Sequence, residues 1–374
     1  MFIASLGLGS VLTLAWRHGD ALRKRPEAEW IVTRFSARAD AAKKLGDALQ
    51  ASSSGRNEEA RAALGEALTF YKREDNRLGQ ATVQFELGEL ERRLRRYDAA
   101  RAAYSEALTL YKLADSRLGE ANVRYGLAEM ERKLGRHDAA RTAYSEALRL
   151  YTLENNWFGQ ANVQCGLGRL ETKLEFYEAA RAAFGEALRL QKQGGNLLGQ
   201  AGAQRALGDL ESKAGRLVAA HAAYDEALAL YKREDDRVGE AIVLLVLGDL
   251  EAKLGRIEEA RAAYSEALTL NQQKHNALGQ ADAQLDIGRL ESKLGRNDPA
   301  RAAYGEALRL YRPASDLLGQ ANVLFGIGKL ESQLGRNEEA RAAYTDAIAF
   351  YGEMGMTEER QATLAALSQL NEQR

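Results

Sequence analysis

Glu91, Glu131, Glu171, Glu211, Glu251, Glu291 and Glu331 stand 40 residues apart, and a second acidic series runs from Glu66 to Asp346 at the same interval. Paired carboxylates can do general acid–base chemistry, which needs one pair tuned by one pocket. Here near-identical copies recur along the chain, so no pair is singled out. Such repetition points instead to hydrogen bonds or ion pairs between packed elements. Other chemistry-bearing residues are sparse. His18, His137, His221 and His275 are scattered without metal-ligand spacing. Cys165 is the single cysteine, which excludes an intrachain disulfide and suits a small packed side chain in a reducing compartment. No HExxH, CxxC, phosphate-loop or GxSxG pattern occurs. These residues imply neither an enzyme nor a cofactor.

The elements that carry the glutamates repeat with them. With Ala81 as position one, alanine returns at 121, 161, 201, 241, 281 and 321. Position eight is glycine from Gly88 to Gly328, with Ala128 the one substitute; position 24 is Tyr or Phe from Tyr104 to Tyr344; position 27 is alanine from Ala67 to Ala347. Val83, Leu87, Leu90 and Leu94 are spaced four, three and four apart, which places them on one helical face. Asn76, Ser116, Asn156, Asn196, Asp236, Asn276 and Asp316 precede these helices as capping residues. A glycine such as Gly135 closes them. A second helix follows in each repeat, and its small alanines are expected to approach the glycine of the first. Arg61, Arg101, Arg141, Arg181, Arg261, Arg301 and Arg341 each follow an acid by three residues. The copy with His221 has Val218 in the acid's place, so the pair is lost together. An exposed i,i+3 pair of this kind contributes about 0.2–0.5 kcal/mol.

Gly at position eight, Ala at 20, Tyr or Phe at 24 and Ala at 27 resemble the tetratricopeptide repeat (TPR) motif. The longer period, with "LGQA" opening the first helix, is similar to Pins/LGN-type scaffolds and bacterial TPR arrays. The resemblance implies an all-α solenoid of about eight helix pairs with a C-terminal capping helix, since one pair cannot bury its own apolar face. It divides the chain into a leader at 1–27, a degenerate capping region at 28–56, the array at 57–356 and a final helix at 357–374. It also implies a non-catalytic scaffold that binds a peptide or protein segment, acting as an adaptor in complex assembly or signalling.

By the same resemblance the first helices line a concave groove through positions two, five, six, nine, 12 and 13. Asn122, Asn162 and Asn322 occupy position two; Phe85, Tyr125, Arg205 and Phe325 occupy position five. In "AIVLLVLGDL", Ile242, Leu245 and Val246 are apolar where other copies are mostly polar or small, and Leu285 follows on the next repeat. They form a candidate apolar anchor, with Phe85 and Tyr125 as a second one. Groove cations such as Arg92, Lys133, Lys213, Arg289 and Lys329 outnumber acids such as Glu89, Asp209 and Asp286. This hints at an acidic ligand, although lysines at position 13 also suit helix C-termini. The lysine–asparagine pair of the chaperone-binding carboxylate clamp is absent from positions five and nine.

Formal net charge is −1 with 28% charged residues, which gives no basic excess for nucleic acid. Only three prolines interrupt the chain. "MFIASLGLGSVLTLAW" at residues 1–16 carries no charged side chain and falls just short of the ~17–25 residues that span a bilayer. No basic stretch precedes it, and Arg17, Arg23, Lys24 and Arg25 follow. A cleaved signal peptide therefore fits poorly. The expected location is cytoplasmic, with residues 1–16 a candidate anchor that would make the chain a membrane-anchored assembly factor. Self-association through the apolar patches is the other alternative.

Overall fold

A computed structural model describes residues 43–48, 50–51 and 56–372. Its helices, in chain order, are α1 (Asn57–Arg73), α2 (Arg77–Arg93), α3 (Tyr97–Leu113), α4 (Arg117–Lys133), α5 (His137–Leu153), α6 (Trp157–Lys173), α7 (Tyr177–Gln193) and α8 (Leu197–Lys213). They continue as α9 (Leu217–Arg233), α10 (Arg237–Lys253), α11 (Ile257–Gln273), α12 (Ala277–Lys293), α13 (Asn297–Tyr311), α14 (Leu317–Gln333), α15 (Asn337–Glu353) and α16 (Thr357–Glu372). The described residues contain no strand. From α2 to α14 the even-numbered helices are first helices; the odd-numbered ones are second helices. The leader at 1–27 and the candidate anchor at 1–16 lie outside the described residues. No helix among those described is long and apolar enough to cross a membrane.

Local signals set the helix ends. The Asn76 side chain accepts from the Gly79 amide at 2.9 Å, Asp236 from Gly239 at 3.0 Å and Asn276 from Gly279 at 3.2 Å. Each satisfies one orphan donor of a first turn. At the other end the Gly135 amide bonds the Arg132 carbonyl at 3.2 Å, and the Arg136 amide bonds that of Glu131 at 2.9 Å. Gly135 is left-handed at φ 73°. This paired closure reverses the chain within three residues, so helix starts recur every 20 residues.

The chain divides into two compact units, Met1–Gly166 and Leu167–Arg374. In the N-terminal unit, Ala48, Ala51, Ala60, Leu64, Val83 and Leu90 form one core cluster. Ala81, Ala100, Tyr104, Val123 and Met130 belong to the next. In the C-terminal unit the same register gives Ala220, Tyr224, Val243 and Leu250, then Ala300, Tyr304, Val323 and Leu330. Each leucine buried at position ten contributes about 1.5–3 kcal/mol.

The glycine at position eight is needed for a different neighbour from the one expected. A Cβ on Gly88 would lie 2.5 Å from the ring of Tyr104, and one on Gly248 would lie 2.4 Å from Tyr264. The aromatic ring at position 24, not the small alanines, fills that space. A second glycine works the same way. A Cβ on Gly119 would lie 2.2 Å from Tyr111, and one on Gly239 would lie 2.3 Å from Tyr231.

Candidate functional site

The repeated glutamates clamp one repeat to the next. Arg61 Nε donates to Glu91 at 2.8 Å, Arg261 Nε to Glu291 at 2.9 Å and Arg301 Nε to Glu331 at 2.9 Å. Their acceptors are nearly fully buried. Further guanidiniums close the other side, with Arg256 on Glu251 at 3.2 Å and Arg336 on Glu331 at 3.4 Å. The i,i+3 pairs exist as well, for example Arg261 with Glu258 at 2.8 Å. At the exceptional copy, His221 places Nε2 2.8 Å from Glu251 and Nδ1 2.8 Å from Asp225. The C-terminal cap exchanges the acid for Asn371, which accepts from Arg341 at 3.2 Å. The acidic series is therefore committed to stacking.

Within each unit, consecutive first helices approach one another: α2 with α4 in one, and α8 with α10, α10 with α12 and α12 with α14 in the other. Positions two, five, six and nine lie on this first-helix face, and their side chains vary from copy to copy.

At position two, the Tyr151 hydroxyl donates to Asn122 Oδ1 at 2.6 Å and Tyr351 to Asn322 Oδ1 at 2.7 Å. The carbonyl oxygens of these two asparagines thus anchor second helices, while their amide N–H groups are not used in those bonds. Asn162 is half-buried. At position five, Phe85 tilts against Tyr104 with ring centroids 6.2 Å apart, Tyr125 against Tyr144 at 6.1 Å and Phe325 against Tyr344 at 5.9 Å. Lys329 Nζ stands 5.7 Å from the Phe325 ring. Arg205 pairs with Asp209 at 3.2 Å.

The four residues of the expected apolar anchor differ in burial. Ile242 is 44% exposed, but Leu285 is 4% exposed and belongs to a core cluster with Tyr304 and Val323. Leu245 packs on the clusters around Leu244 and Tyr264, and Val246 packs on the cluster around Tyr224. Leu245 and Val246 are half-buried and Leu285 is buried, so Ile242 is the most exposed of the four. The lysine at position 13 does complement a helix end: Lys213 Nζ donates to the Thr172 carbonyl at 3.0 Å.

Position nine carries a network that periodicity did not reveal. The hydroxyls of Tyr224 and Tyr264 donate to Asp209 and Asp249 at 2.8 and 2.7 Å; those of Tyr104 and Tyr144 donate to Glu89 and Glu129. Where position 24 is Phe184 and has no hydroxyl, position nine is Arg169. Burial, and then the carboxylate beside each ring, raises these tyrosine pKa values. Asp286 is pushed up to about 7 by burial and by Asp249, against the opposing pull of Arg289 at 3.0 Å. No group of three or more His, Cys, Asp or Glu among the described residues is arranged to hold a metal.

A family model described as tetratricopeptide repeat matches residues 37–113, 119–193, 159–233, 199–273, 239–312 and 279–353. No curated protein matches the chain. Among solved structures, yeast Tom70 aligns with a TM-score of 0.62 at 15% identity, over 89% of this chain and 64% of its own. A Rap protein complexed with competence and sporulation factor gives 0.53 at 14% identity, over 90% and 98%. The apo quorum sensor NprR from B. thuringiensis gives 0.52 at 15% identity, over 89% and 99%. At these identities the likeness is one of fold.

Proposed function

The chain belongs to the tetratricopeptide repeat family, and from that premise we propose a non-catalytic scaffold that binds a peptide or protein segment on its first-helix face. One observation carries this reading. Second helices repeat the same alanines and, except at His221, the same arginine of the salt ladder, whereas no two first helices carry the same combination of residues at positions two, five, six and nine. A face that needed only to stack would have no use for such variety, while a face that recognises an irregular ligand would. Asn122, Asn162 and Asn322 supply amides for a peptide backbone. Phe85, Tyr125, Phe325 and Ile242 supply apolar contacts, and Arg205 a cation. The neighbouring Rap protein is complexed with competence and sporulation factor, which supports a ligand-binding reading of the shared fold. The adaptor role in complex assembly or signalling is the part of this reading that the family resemblance alone implies.

The test is selection of peptides from a random display library on the purified chain, followed by fluorescence anisotropy. Ile242→Asp and Phe85→Ser should each weaken a selected peptide by about tenfold or more if it spans their rung. Arg189→Ala, on an exposed second-helix pair, should leave binding unchanged. Equal loss from Arg189→Ala, or no loss from either face variant, would remove the first helices from the account.

A second reading has its own observation. Leu78, Leu118 and Phe158 in the N-terminal unit are 51%, 42% and 49% exposed, and Leu198, Val238 and Leu278 repeat the position in the other. Recurring exposed apolar residues suit self-association. Sedimentation equilibrium decides it, since a monomer at high concentration opposes this reading.

A further inference from the structure

A tyrosine is missing from the rung where the first-helix face turns apolar. Position 31 is tyrosine at 71, 111, 151, 231, 311 and 351, but Gln191 and Asn271 in the other two copies. The ring of Tyr111 packs on Gly119 of α4, while its hydroxyl donates to Thr82 of α2 at 3.3 Å. The ring of Tyr311 packs on Gly319 of α14, and its hydroxyl donates to Asp282 of α12. Each ring thus fills the seam between consecutive first helices. Glu86, Arg205 and Asp286, at positions five and six of these first helices, act electrostatically on the hydroxyls of Tyr111, Tyr231 and Tyr311.

The seam of Asn271, between α10 and α12, departs from this on each side. Asn271 ends at its amide and folds back. Its Nδ2 donates to the Ala267 carbonyl at 2.9 Å, and its Oδ1 accepts from Asn276 at 2.8 Å. The residues at positions two, five and six, which meet the far end of the ring elsewhere, are Ile242, Leu245 and Val246. None of the three can accept a hydroxyl proton. A valine stands 12 residues after every tyrosine but the last, and Val123 and Val323 share core clusters with Tyr111 and Tyr311. After Asn271 that residue is Ala283, which lacks the two methyls of valine. Even so, α10 meets α12 as extensively as α12 meets α14, so the helices have not closed over the vacated place. Gly279 is retained at the root of the seam, and Ile242 is 44% exposed at its edge.

We propose that the seam between α10 and α12 takes up a phenyl ring of the ligand, in the place that tyrosine holds in other copies. The inference rests on the first-helix reading and deepens it by naming the side chain that Ile242 anchors. The occupant follows from the repeat, since an aromatic ring is what fits between first helices wherever position 31 supplies one. Phenylalanine fits better than tyrosine, because a phenol set against Ile242 gives up a bond to water without gaining one to the chain. An aliphatic side chain offers less area to a slot shaped for a flat ring.

The test uses the full chain and four probes, the N-acetyl amides of phenylalanine, tyrosine, leucine and alanine, titrated by saturation-transfer NMR. Probes this small bind in the millimolar range. The phenylalanine amide should bind about threefold or more tightly than the tyrosine or leucine amide, and the alanine amide more weakly still. Asn271→Tyr supplies the ring from within, so it should weaken the phenylalanine amide by about tenfold and raise the urea midpoint. Ile242→Asn, which installs the residue of three other copies, should reverse the order of the phenylalanine and tyrosine amides, because Asn122 accepts from Tyr151 in just this way. A urea midpoint lowered by Asn271→Tyr means that Leu245 and Val246 already fill the seam, and overturns the inference. So does equal binding of the leucine and phenylalanine amides, or binding that neither variant changes. If a library-selected peptide still responds to Ile242→Asp while the phenylalanine amide fails these tests, the seam falls and the first-helix reading stands. If that peptide is also indifferent to Ile242→Asp and Phe85→Ser, both fall.

Discussion

Asp286→Asn should stabilise the chain increasingly as pH rises from about 4.5 to 8. Position six is Gly126, Gly166, Ala206, Val246 or Gly326 in neighbouring first helices, so a carboxyl here stands where most copies keep little polarity. Its side chain is 13% exposed and bonded to Arg289, with Asp249 on the preceding first helix and Asp282 one turn earlier adding like charge. Burial and Asp249 move it from 3.8 to about 7. The sign follows from linkage. A carboxyl raised in the folded state gives stability that is complete below the unfolded value and is lost as pH climbs through the folded one. The full displacement corresponds to about 4 kcal/mol at pH 8, and relaxation together with coupling to Asp249 brings the expected change to about 1–3 kcal/mol. Asparagine keeps the shape and has no charge to lose, so subtracting the parent chain from the variant cancels every other titration. The assay is urea unfolding followed by far-UV circular dichroism at several pH values, comparing midpoints at matched slopes. A gap that stays constant, or that narrows with pH, refutes the reasoning.

Other expectations follow from the same contacts. Gly248→Ala should cost about 1–3 kcal/mol, because the new methyl drives Tyr264 towards Asp286. Gly88→Ala should cost less, since Tyr104 is backed by Gly126; the natural Ala128 shows the response, with Tyr144 as near as 2.5 Å to a Cβ on Gly166. Chemical denaturation measures both. Arg261→Ala should lose about 1–3 kcal/mol by leaving the buried Glu291 under-partnered, against about 0.5 kcal/mol or less for Glu258→Ala at the 76% exposed end of the same network. Above pH 10 the unfolded chain gains from ionising tyrosines that the fold keeps protonated, so stability should fall through the alkaline range. Tyr224→Phe should move that alkaline midpoint upward, as read by circular dichroism.

The helices, their caps and their pairing were legible because they depend on residues close in sequence and on one period. Asn76, Gly135 and the alanines at positions one, 20 and 27 act within a turn or across one helix pair, and their spacing alone discloses them. The ladder from Arg261 to Glu291 spans 30 residues, so the i,i+3 neighbour hid the stronger partner. The tyrosines from Tyr71 to Tyr351, interrupted by Gln191 and Asn271, and the glycines from Gly79 to Gly319 keep the same period and were open to the same reading. The unequal burial of the apolar anchor residues was not legible for another reason. Helix phase says which face Leu245 and Leu285 share, but their burial depends on how far the next rung reaches over them. For each, the ring at position 24 of its own repeat, Tyr264 or Tyr304, belongs to the cluster it packs on. The link from Tyr224 to Asp209 likewise required knowing which first-helix residue meets the ring's far end.

The central claim is that ligand binds the first helices. Hydrogen exchange of the full chain, with and without a library-selected peptide, tests it most directly. The account predicts slowed exchange confined to first helices such as α2, α4 and α10, with α3, α11 and α13 unchanged. Slowing confined to the second helices would contradict it.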